Sequence, residues 1–301
     1  MEKKMISWKL WQALNHPPRH HPLFQYTLTH AKKEDPKVAP GFFMWIFMCS
    51  TMTLIWTLIF DLLPYIFMTA IILLNTVYAL RWTLRISGTI VAEKEMQRYD
   101  LLAALPIGML GTSWAISTGC LHRRSSFRWL PYLMLMLAIT TPITMIIMGL
   151  LTSFILTTDL NAEAILANVD LLEIAILIIP FMFAFYFDHL YSILTATLIG
   201  MVATVDVKDS TDARLRAAIS FVTLQLVVYA LLLTVLVLGL PQLFALLGLS
   251  GVLMLIIESI IGLVLFIAIR EWLVRRMWRF LMTSFSAEEN EVELVLQPSS
   301  V

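Results

Sequence analysis

A chain of 301 residues, of which 59% are hydrophobic and only 14% are charged, has the composition of a polytopic membrane protein. The mean hydropathy of +0.82 excludes the soluble globular class, and the length suffices for about six spans of roughly 20 residues with their loops. The 21 basic and 21 acidic residues cancel, so the positions of the charges are more informative than their sum.

The first 40 residues are mostly polar and form the first predicted segment, 1–40. Ile6, Leu10 and Leu14 recur at helical spacing beside Trp8 and Trp11, which predicts a short helix in the membrane interface with its tryptophans at headgroup depth. No short basic start precedes an early apolar run, so we expect a retained, cytoplasmic N-terminus. Three histidines and both cysteines lack the spacing of a metal site. The histidines are expected at the surface and the cysteines in packing; they are His16, His20 and His21, and Cys49 and Cys120.

Six apolar runs follow and predict an all-α polytopic membrane protein with a transmembrane domain over 41–270 and a cytoplasmic tail over 271–301. A long polar segment, 81–128, separates the second run from the third. A further apolar piece, 239–251, is broken by glycine and proline and predicts a re-entrant or interfacial element. The predicted spans are 41–60, 62–80, 129–157, 174–205, 217–238 and 252–269.

The basic residues fix the predicted orientation. With a cytoplasmic N-terminus and six spans, all 21 lysines and arginines fall in the segments predicted to be inside, namely 1–40, 81–128, 206–216 and 270–301. The charged residues of the outside connections are all acidic. Because an excess of positive charge marks cytoplasmic loops, the sequence predicts a multi-pass protein of the cell membrane with both termini in the cytoplasm.

The stretch AEKEMQRYDLLAALPIG lies inside the polar segment, and the chain is organised around it. Glu93, Gln97 and Asp100 fall along one helical face, and Glu95 and Arg98 can pair at a spacing of three residues. The proline that follows disfavours continuation of the helix. The pattern predicts an amphipathic surface helix with a defined end.

This stretch resembles the signature of type-2 ATP-binding-cassette (ABC) exporter permeases, in which a Glu-Arg-Glu run, a Gly-Thr pair, an acidic-Leu-Leu run and a Thr-Pro turn follow the second span. The Gly-Thr pair is replaced here by Gln97 and Arg98, and the turn threonine by Leu105. The matching positions are Glu93, Lys94 and Glu95, then Asp100, Leu101 and Leu102, and finally Pro106.

The resemblance implies a transmembrane permease subunit in which Glu93, Glu95, Arg98, Asp100 and Pro106 couple to a cytoplasmic ABC ATPase. No G-x-x-x-x-G-K-[ST] loop occurs in the sequence, so ATP and Mg²⁺ would be bound by that separate subunit, and this chain would be neither an enzyme nor a holder of a cofactor. A second permease chain, identical or related, completes the expected assembly. No nucleic-acid partner is expected.

Polar residues inside the apolar runs are candidates for a substrate path, because charges at membrane depth are costly unless they are paired or hydrated. Asp188 and His189 interrupt the fourth run, and Glu258 lies seven residues into the sixth. The bland alternatives are an Asp188–His189 pair or contact with water near an interface. Asn75 in the second run is better explained as an interhelical hydrogen bond.

Two other classes of function are open at this point. A non-transporting membrane scaffold could use the same surface helix to dock another partner. A membrane-embedded enzyme is less favoured, because the chain has no H-E-x-x-H motif and no nucleophile elbow. The substrate of an exporter would be hydrophobic or amphipathic, since the apolar runs carry few fixed charges.

Overall fold

The computed structural model describes residues 5–17, 22–30, 63–103, 108–123, 127–136, 138–140, 143, 147, 162–207, 209–246, 248, 252–287 and 289–296. In these ranges the chain is predominantly helical and has no strand, which confirms the predicted all-α class. The predicted first span, Pro106, Cys49, His20 and His21 lie outside the described residues. The helices are α1 (Ile6–Asn15), α2 (Pro22–His30), α3 (Leu63–Glu95), α4 (Arg98–Ala103), α5 (Gly108–His122), α6 (Phe127–Thr140), α7 (Ala162–Val202), α8 (Ser210–Leu233), α9 (Leu240–Leu246), α10 (Val252–Ser284) and α11 (Glu289–Leu296).

The chain divides into two compact units, which are described separately below. The whole predicted cytoplasmic segment, 81–128, belongs to unit 2. Unit 1 comprises Met1–Trp11, Trp129–Thr195 and Ile219–Phe280, and unit 2 comprises Gln12–Arg128, Ala196–Ala218 and Leu281–Val301.

Two of the described helices are long and apolar enough to cross a membrane. They are Ile179–Val202 and Ser210–Phe244. The first is 78% buried within the protein, as a core helix would be, whereas the second is only 24% buried although its mean hydropathy is 2.6. An apolar helix that leaves most of its surface uncovered needs lipid or another protein against it.

Helix α3 is longer than the predicted second span, which was expected to end at Leu80. It continues through Arg81 to Glu95 without a break. Trp82, Ile86 and Ile90 are buried and recur every four residues, so the first part of the polar segment carries an apolar stripe that extends the helix.

Helix α7 also begins earlier than the predicted fourth span, 174–205. The acidic connection before the predicted fourth span is helical from Ala162 onward, and the helix continues past Pro180, Asp188 and His189 to Val202. Asp188 and His189 therefore do not interrupt the fourth run. Both are buried, and a helix tolerates them because its backbone hydrogen bonds do not depend on side-chain polarity.

The break that was predicted within 239–251 does not occur in the first half of that range. Helix α8 passes into a π-helix over Thr234–Gly239 and then directly into α9. Pro241 lacks an N–H and its ring would crowd the carbonyl four residues earlier, and the wider π-helical turns lie immediately before it. The chain turns only after α9, at Gly248, whose φ is +68°.

Unit 2 is built around α5, which lies in the predicted polar segment 81–128. Every residue of α5 from Thr112 to His122 is buried, and the helix packs against α2, α3, α4 and α11. Its hydroxyl side chains are satisfied locally, since Ser117 and Thr118 donate to carbonyls one turn earlier. The close packing extends to Gly119, where a Cβ would lie 1.8 Å from Thr27 Oγ1.

Helix α1 matches the predicted N-terminal helix in position. Leu10 and Leu14 are buried, as their spacing predicted, and Trp8 is half exposed. Trp11 is buried, so only one of the two tryptophans is free to lie at headgroup depth. Proline at the first position of α2 explains where the next helix begins.

Candidate functional site

The predicted coupling helix is two helices joined by a tight turn. Helix α3 ends at Glu95, Gln97 adopts a left-handed conformation with φ of +56°, and α4 begins at Arg98. This turn rotates the chain, so Glu93, Gln97 and Asp100 do not share one face of a continuous helix, contrary to the prediction. The residue type permits the turn, because left-handed φ values are uncommon outside glycine but not forbidden.

The turn presents a small polar and apolar surface. Glu95, Met96, Gln97, Arg98 and Asp100 are exposed, and Met96 is 58% exposed. We call these five residues the exposed turn. An exposed methionine among charged side chains is an adaptable contact for another protein.

Tyr99 anchors the exposed turn to the core of unit 2. Its side chain is buried, its hydroxyl lies 2.7 Å from Ser113 Oγ, and it also donates to the carbonyl of Met109 at 3.3 Å. Burial raises the pKa of the Tyr99 phenol. Arg98 donates to the hydroxyl of Tyr26 at 2.6 Å, so the turn is held against both α5 and α2.

Lys94 and the first residue of the exposed turn, Glu95, bind the connection between α7 and α8. Lys94 Nζ donates to the carbonyls of Thr204 and Val205, which follow the last turn of α7. Glu95 Oε1 accepts from the backbone N–H of Ser210, the first residue of α8, at 3.0 Å. A cation at the C-terminal end of one helix and a carboxylate at the N-terminal end of the next both match the helix dipoles.

We call Lys94, Glu95 and the backbone groups that they bind the α3 junction. Burial lowers the pKa of the Lys94 ammonium, and the nearby carboxylates of Asp100 and Asp206 partly oppose that shift. The ammonium also lies 5.0 Å from the centre of the Tyr99 ring. The lysine of the Glu-Lys-Glu run therefore faces the protein and not an outside partner.

Close packing surrounds the α3 junction. Val91, Val207 and Ala213 form a buried apolar cluster. A Cβ added at Gly88 would lie 2.4 Å from Arg214 Nε, and one added at Gly200 would lie 2.9 Å from the side chain of Ile86. Helix α3 thus contacts the end of α7, the loop and the start of α8 at several points.

No known protein family, curated protein or solved structure matches this chain. Its function must therefore be inferred from the side chains that the fold brings together. Two groups carry that inference, namely the exposed turn with the α3 junction in unit 2, and a buried polar cluster in unit 1.

The polar cluster of unit 1 joins α7, α8 and α10. Arg270 is fully buried and binds Asp188 through one guanidinium nitrogen and Gln225 through the other, the latter at 2.7 Å. Tyr229 donates to the second carboxylate oxygen of Asp188 at 2.9 Å, and Gln225 donates to Ser192 at 2.9 Å. We call these five residues the Asp188 cluster.

The arginine of this cluster is enclosed by rings as well as by polar atoms. Its guanidinium carbon lies 5.2 Å from the centre of the Tyr229 ring and 5.7 Å from that of Phe266. Arg270 Nε is buried and has no hydrogen-bond partner among the described residues. A charge that is paired and stacked in this way fixes the register of three helices.

The partner of Asp188 differs from the predicted one. Asp188 was expected to pair with His189 or to lie near an interface, and Arg270 was counted among the basic residues of the inside segment 270–301. The structure buries both and joins them. The sequence held one usable signal, because Gln225 is a polar residue inside an apolar span, where unpartnered polar side chains are costly.

The residue after Arg270 binds the N-terminal helix. Glu271 accepts from the backbone N–H of Ile6 at 2.9 Å and from the hydroxyl of Ser7, and it pairs with Arg275 at 2.8 Å. Ser7 Oγ also lies 3.4 Å from the hydroxyl of Tyr191. The carboxylate thus caps the N-terminus of α1 from another helix.

The remaining predicted site residues are not brought into one site. Glu258 in unit 1 is half buried, Asn75 in unit 2 is buried, and Glu93 has a buried carboxylate oxygen with no hydrogen-bond partner in the part of the chain that the structure describes. The described residues contain no group of three His, Cys, Asp or Glu side chains placed to hold a metal. The geometry therefore favours the two groups above.

Proposed function

We propose that this chain is the transmembrane permease subunit of an ABC-type exporter, which moves a hydrophobic or amphipathic substrate by alternating access. The supporting observation is one geometric relation: Tyr99 anchors the exposed turn to the core of unit 2, and the α3 junction joins the same turn to the end of α7 and the start of α8. A partner that moves the turn would also move the attached ends of α7 and α8.

The proposed cycle uses the exposed turn as the docking point for a separate cytoplasmic ATPase. Closure of the ATPase around ATP and Mg²⁺ would displace the turn, and Lys94 and Glu95 would transmit that displacement to the two helices they cap. A change of this kind requires contacts that differ in free energy between the two states. Capping hydrogen bonds meet this requirement, because they form or break over short distances.

The assignment of roles within the resembling stretch changes with this geometry. Met96, Arg98 and Asp100 are proposed to contact the ATPase, whereas Lys94 and Glu95 are proposed to act inside the chain. Two permease chains would serve the two nucleotide sites of such an assembly, and the uncovered apolar surface of the second candidate span offers area for lipid and for a second copy.

Site-specific photo-crosslinking tests the docking role. A p-benzoylphenylalanine placed at Met96 in the full-length membrane-bound chain is expected to capture a protein that carries a P-loop, because the native side chain is exposed. The matched control places the same group at Leu226, an exposed apolar position on α8, and is expected to capture lipid or a second copy. Capture at Met96 of only proteins without a nucleotide site would support the scaffold alternative.

Two classes of variant separate docking from transmission. Met96→Glu with Asp100→Lys should abolish binding of the ATPase. Lys94→Gln with Glu95→Gln should leave binding intact and lower the stimulation of ATP hydrolysis on reconstitution. Equal effects of the two pairs on binding would contradict the division of roles, and Arg81→Gln, at an exposed arginine outside the turn, serves as the charge-loss control.

The orientation of the exposed turn is a separate requirement. A cysteine at Gln97 should react with a membrane-impermeant maleimide in inverted vesicles and not in right-side-out vesicles, because the proposal needs the turn in the cytoplasm. The one buried cysteine among the described residues, Cys120, is shielded from the reagent. Labelling from the outer side would rule out a cytoplasmic ATPase as the partner.

A further inference from the structure

The second half of α10 carries an exposed stripe of aromatic and basic side chains. Leu273, Val274 and Trp278 are buried and face the protein. The exposed positions recur at intervals of three and four residues, which places them on one face. They are Trp272, Arg275, Arg276, Arg279 and Phe280.

The start of α1 lies beside this stripe in the same unit. The hydrogen bonds that Glu271 accepts from Ile6 and Ser7 fix the N-terminus of α1 at Glu271, the residue that precedes Trp272 in α10. Met5 and Trp8 are both about half exposed at this end of α1. Trp8 and Trp272, which lie on different helices, each follow directly after one of the two residues that form this contact.

The composition of this surface does not suit water or the hydrocarbon core of a bilayer. Trp272 is 63% exposed and Phe280 is 56% exposed, and large apolar side chains that cluster in water mark an interaction site. Arginine at the centre of a bilayer is costly. Tryptophan and arginine together are typical of headgroup depth, where the ring and the side-chain stem contact acyl chains and the guanidinium contacts phosphate.

We propose that Met5, Trp8, Trp272, Arg276, Arg279 and Phe280 form a surface that binds the headgroups of anionic phospholipids. The charge balance supports an anionic partner: the only carboxylate of α10 beyond Glu258 is Glu271, and it is buried against Arg275 and the start of α1. A guanidinium donates two parallel hydrogen bonds to a phosphate. In a phosphatidylcholine headgroup, the positive charge of the choline would partly cancel the attraction between this phosphate and the guanidinium.

Native mass spectrometry of the detergent-solubilised full-length chain tests the proposal. Equal concentrations of phosphatidylglycerol and phosphatidylcholine are added, and the ratio of the two bound lipids is measured. The native chain should favour phosphatidylglycerol. Arg276→Gln with Arg279→Gln should lower that ratio by roughly five-fold per arginine, the factor expected for one basic residue at a charged membrane surface.

Two further variants make the result specific. Arg81→Gln with Arg216→Gln removes the same charge from two exposed arginines elsewhere and should leave the ratio near that of the native chain. Arg276→Lys with Arg279→Lys should retain most of the preference, which shows that the folded surface survives substitution. An equal loss in both glutamine pairs, or no preference in the native chain, would overturn the proposal, and the latter result would point to an acidic protein as the partner of the stripe.

Discussion

Removal of one member of the Asp188–Arg270 pair should destabilise the protein far more than removal of both. Arg270 is fully buried and the side chain of Asp188 is 6% exposed, so Asp188→Leu leaves an uncompensated positive charge among apolar groups. Breaking a buried pair in this way costs about 3–5 kcal/mol. Replacement of both residues by apolar side chains of similar volume is often neutral.

The measurement is a double-mutant cycle on Asp188→Leu, Arg270→Met and the double variant. Each single variant should lower the apparent Tm in detergent by roughly 6–20 °C, because about 3–5 kcal/mol is lost and each kcal/mol shifts the Tm of a domain of 150–250 residues by about 2–4 °C. The double variant should recover a large part of the loss, although Gln225 and Tyr229 each lose a hydrogen-bond partner worth about 1 kcal/mol. Tryptophan fluorescence follows the transition.

Additive losses would contradict a shared buried interaction between Asp188 and Arg270. If the double variant loses the sum of the two single losses, then the two residues do not share a buried interaction. Tyr229→Phe is the matched control, because it removes only the neutral donor to Asp188 and should cost about 1 kcal/mol.

Three other predictions concern unit 2 and one position outside it. Gly108→Ala should cost more than Gly248→Ala. Both glycines have a positive φ, but a Cβ at Gly108 would lie 1.9 Å from the Glu291 carboxylate, whereas one at Gly248 would meet no atom of the described residues within 4 Å. The backbone strain alone is about 1 kcal/mol, and equal losses of Tm would contradict the packing of Glu291. Lys94→Gln should speed hydrogen exchange at the end of α7, because the charged donor to two carbonyls is lost; unchanged exchange would remove Lys94 from the junction. Burial raises the pKa of Tyr99 above its usual value of 10.0, so the unfolded state loses this proton first and stability should fall as pH rises above about 10. Tyr99→Phe should reduce that alkaline loss of stability, and an identical pH profile in the variant would contradict it.

The helical class was predictable, but the lengths of the helices were not. Composition and the spacing of apolar residues identify the apolar runs. A charged residue ends a predicted span, however, whereas the helix itself can continue past it. Arg81 and Arg270 mark predicted boundaries, and α3 and α10 continue for more than ten residues beyond each. The continuation depends on buried stripes such as Trp82, Ile86 and Ile90, which a hydropathy window does not separate from exposed charge.

The partners of the candidate site were less predictable than its location. The Glu-Lys-Glu run and Asp188 were both recognised as unusual, but Arg270 lies 82 residues from Asp188, and nothing local indicates that they meet. Helix α8 shows the same difficulty, because from Ala217 onward apolar residues fall on every side of the helix. Only the structure separates its buried stripe of Phe221, Gln225, Val228 and Leu232 from the rest of its surface.

Two pairs of adjacent residues have the same arrangement in this chain. Lys94 and Glu95 bind the end of one helix and the start of another, and Arg270 and Glu271 bind α7 and α1. Adjacent residues on a helix point about 100° apart, since a turn has 3.6 residues. A charged pair can therefore reach two different neighbours, whereas residues three or four apart reach the same one. This geometry allows Lys94 and Glu95 to bind within the chain, whereas the resemblance implied that Glu93 and Glu95 couple to an outside partner.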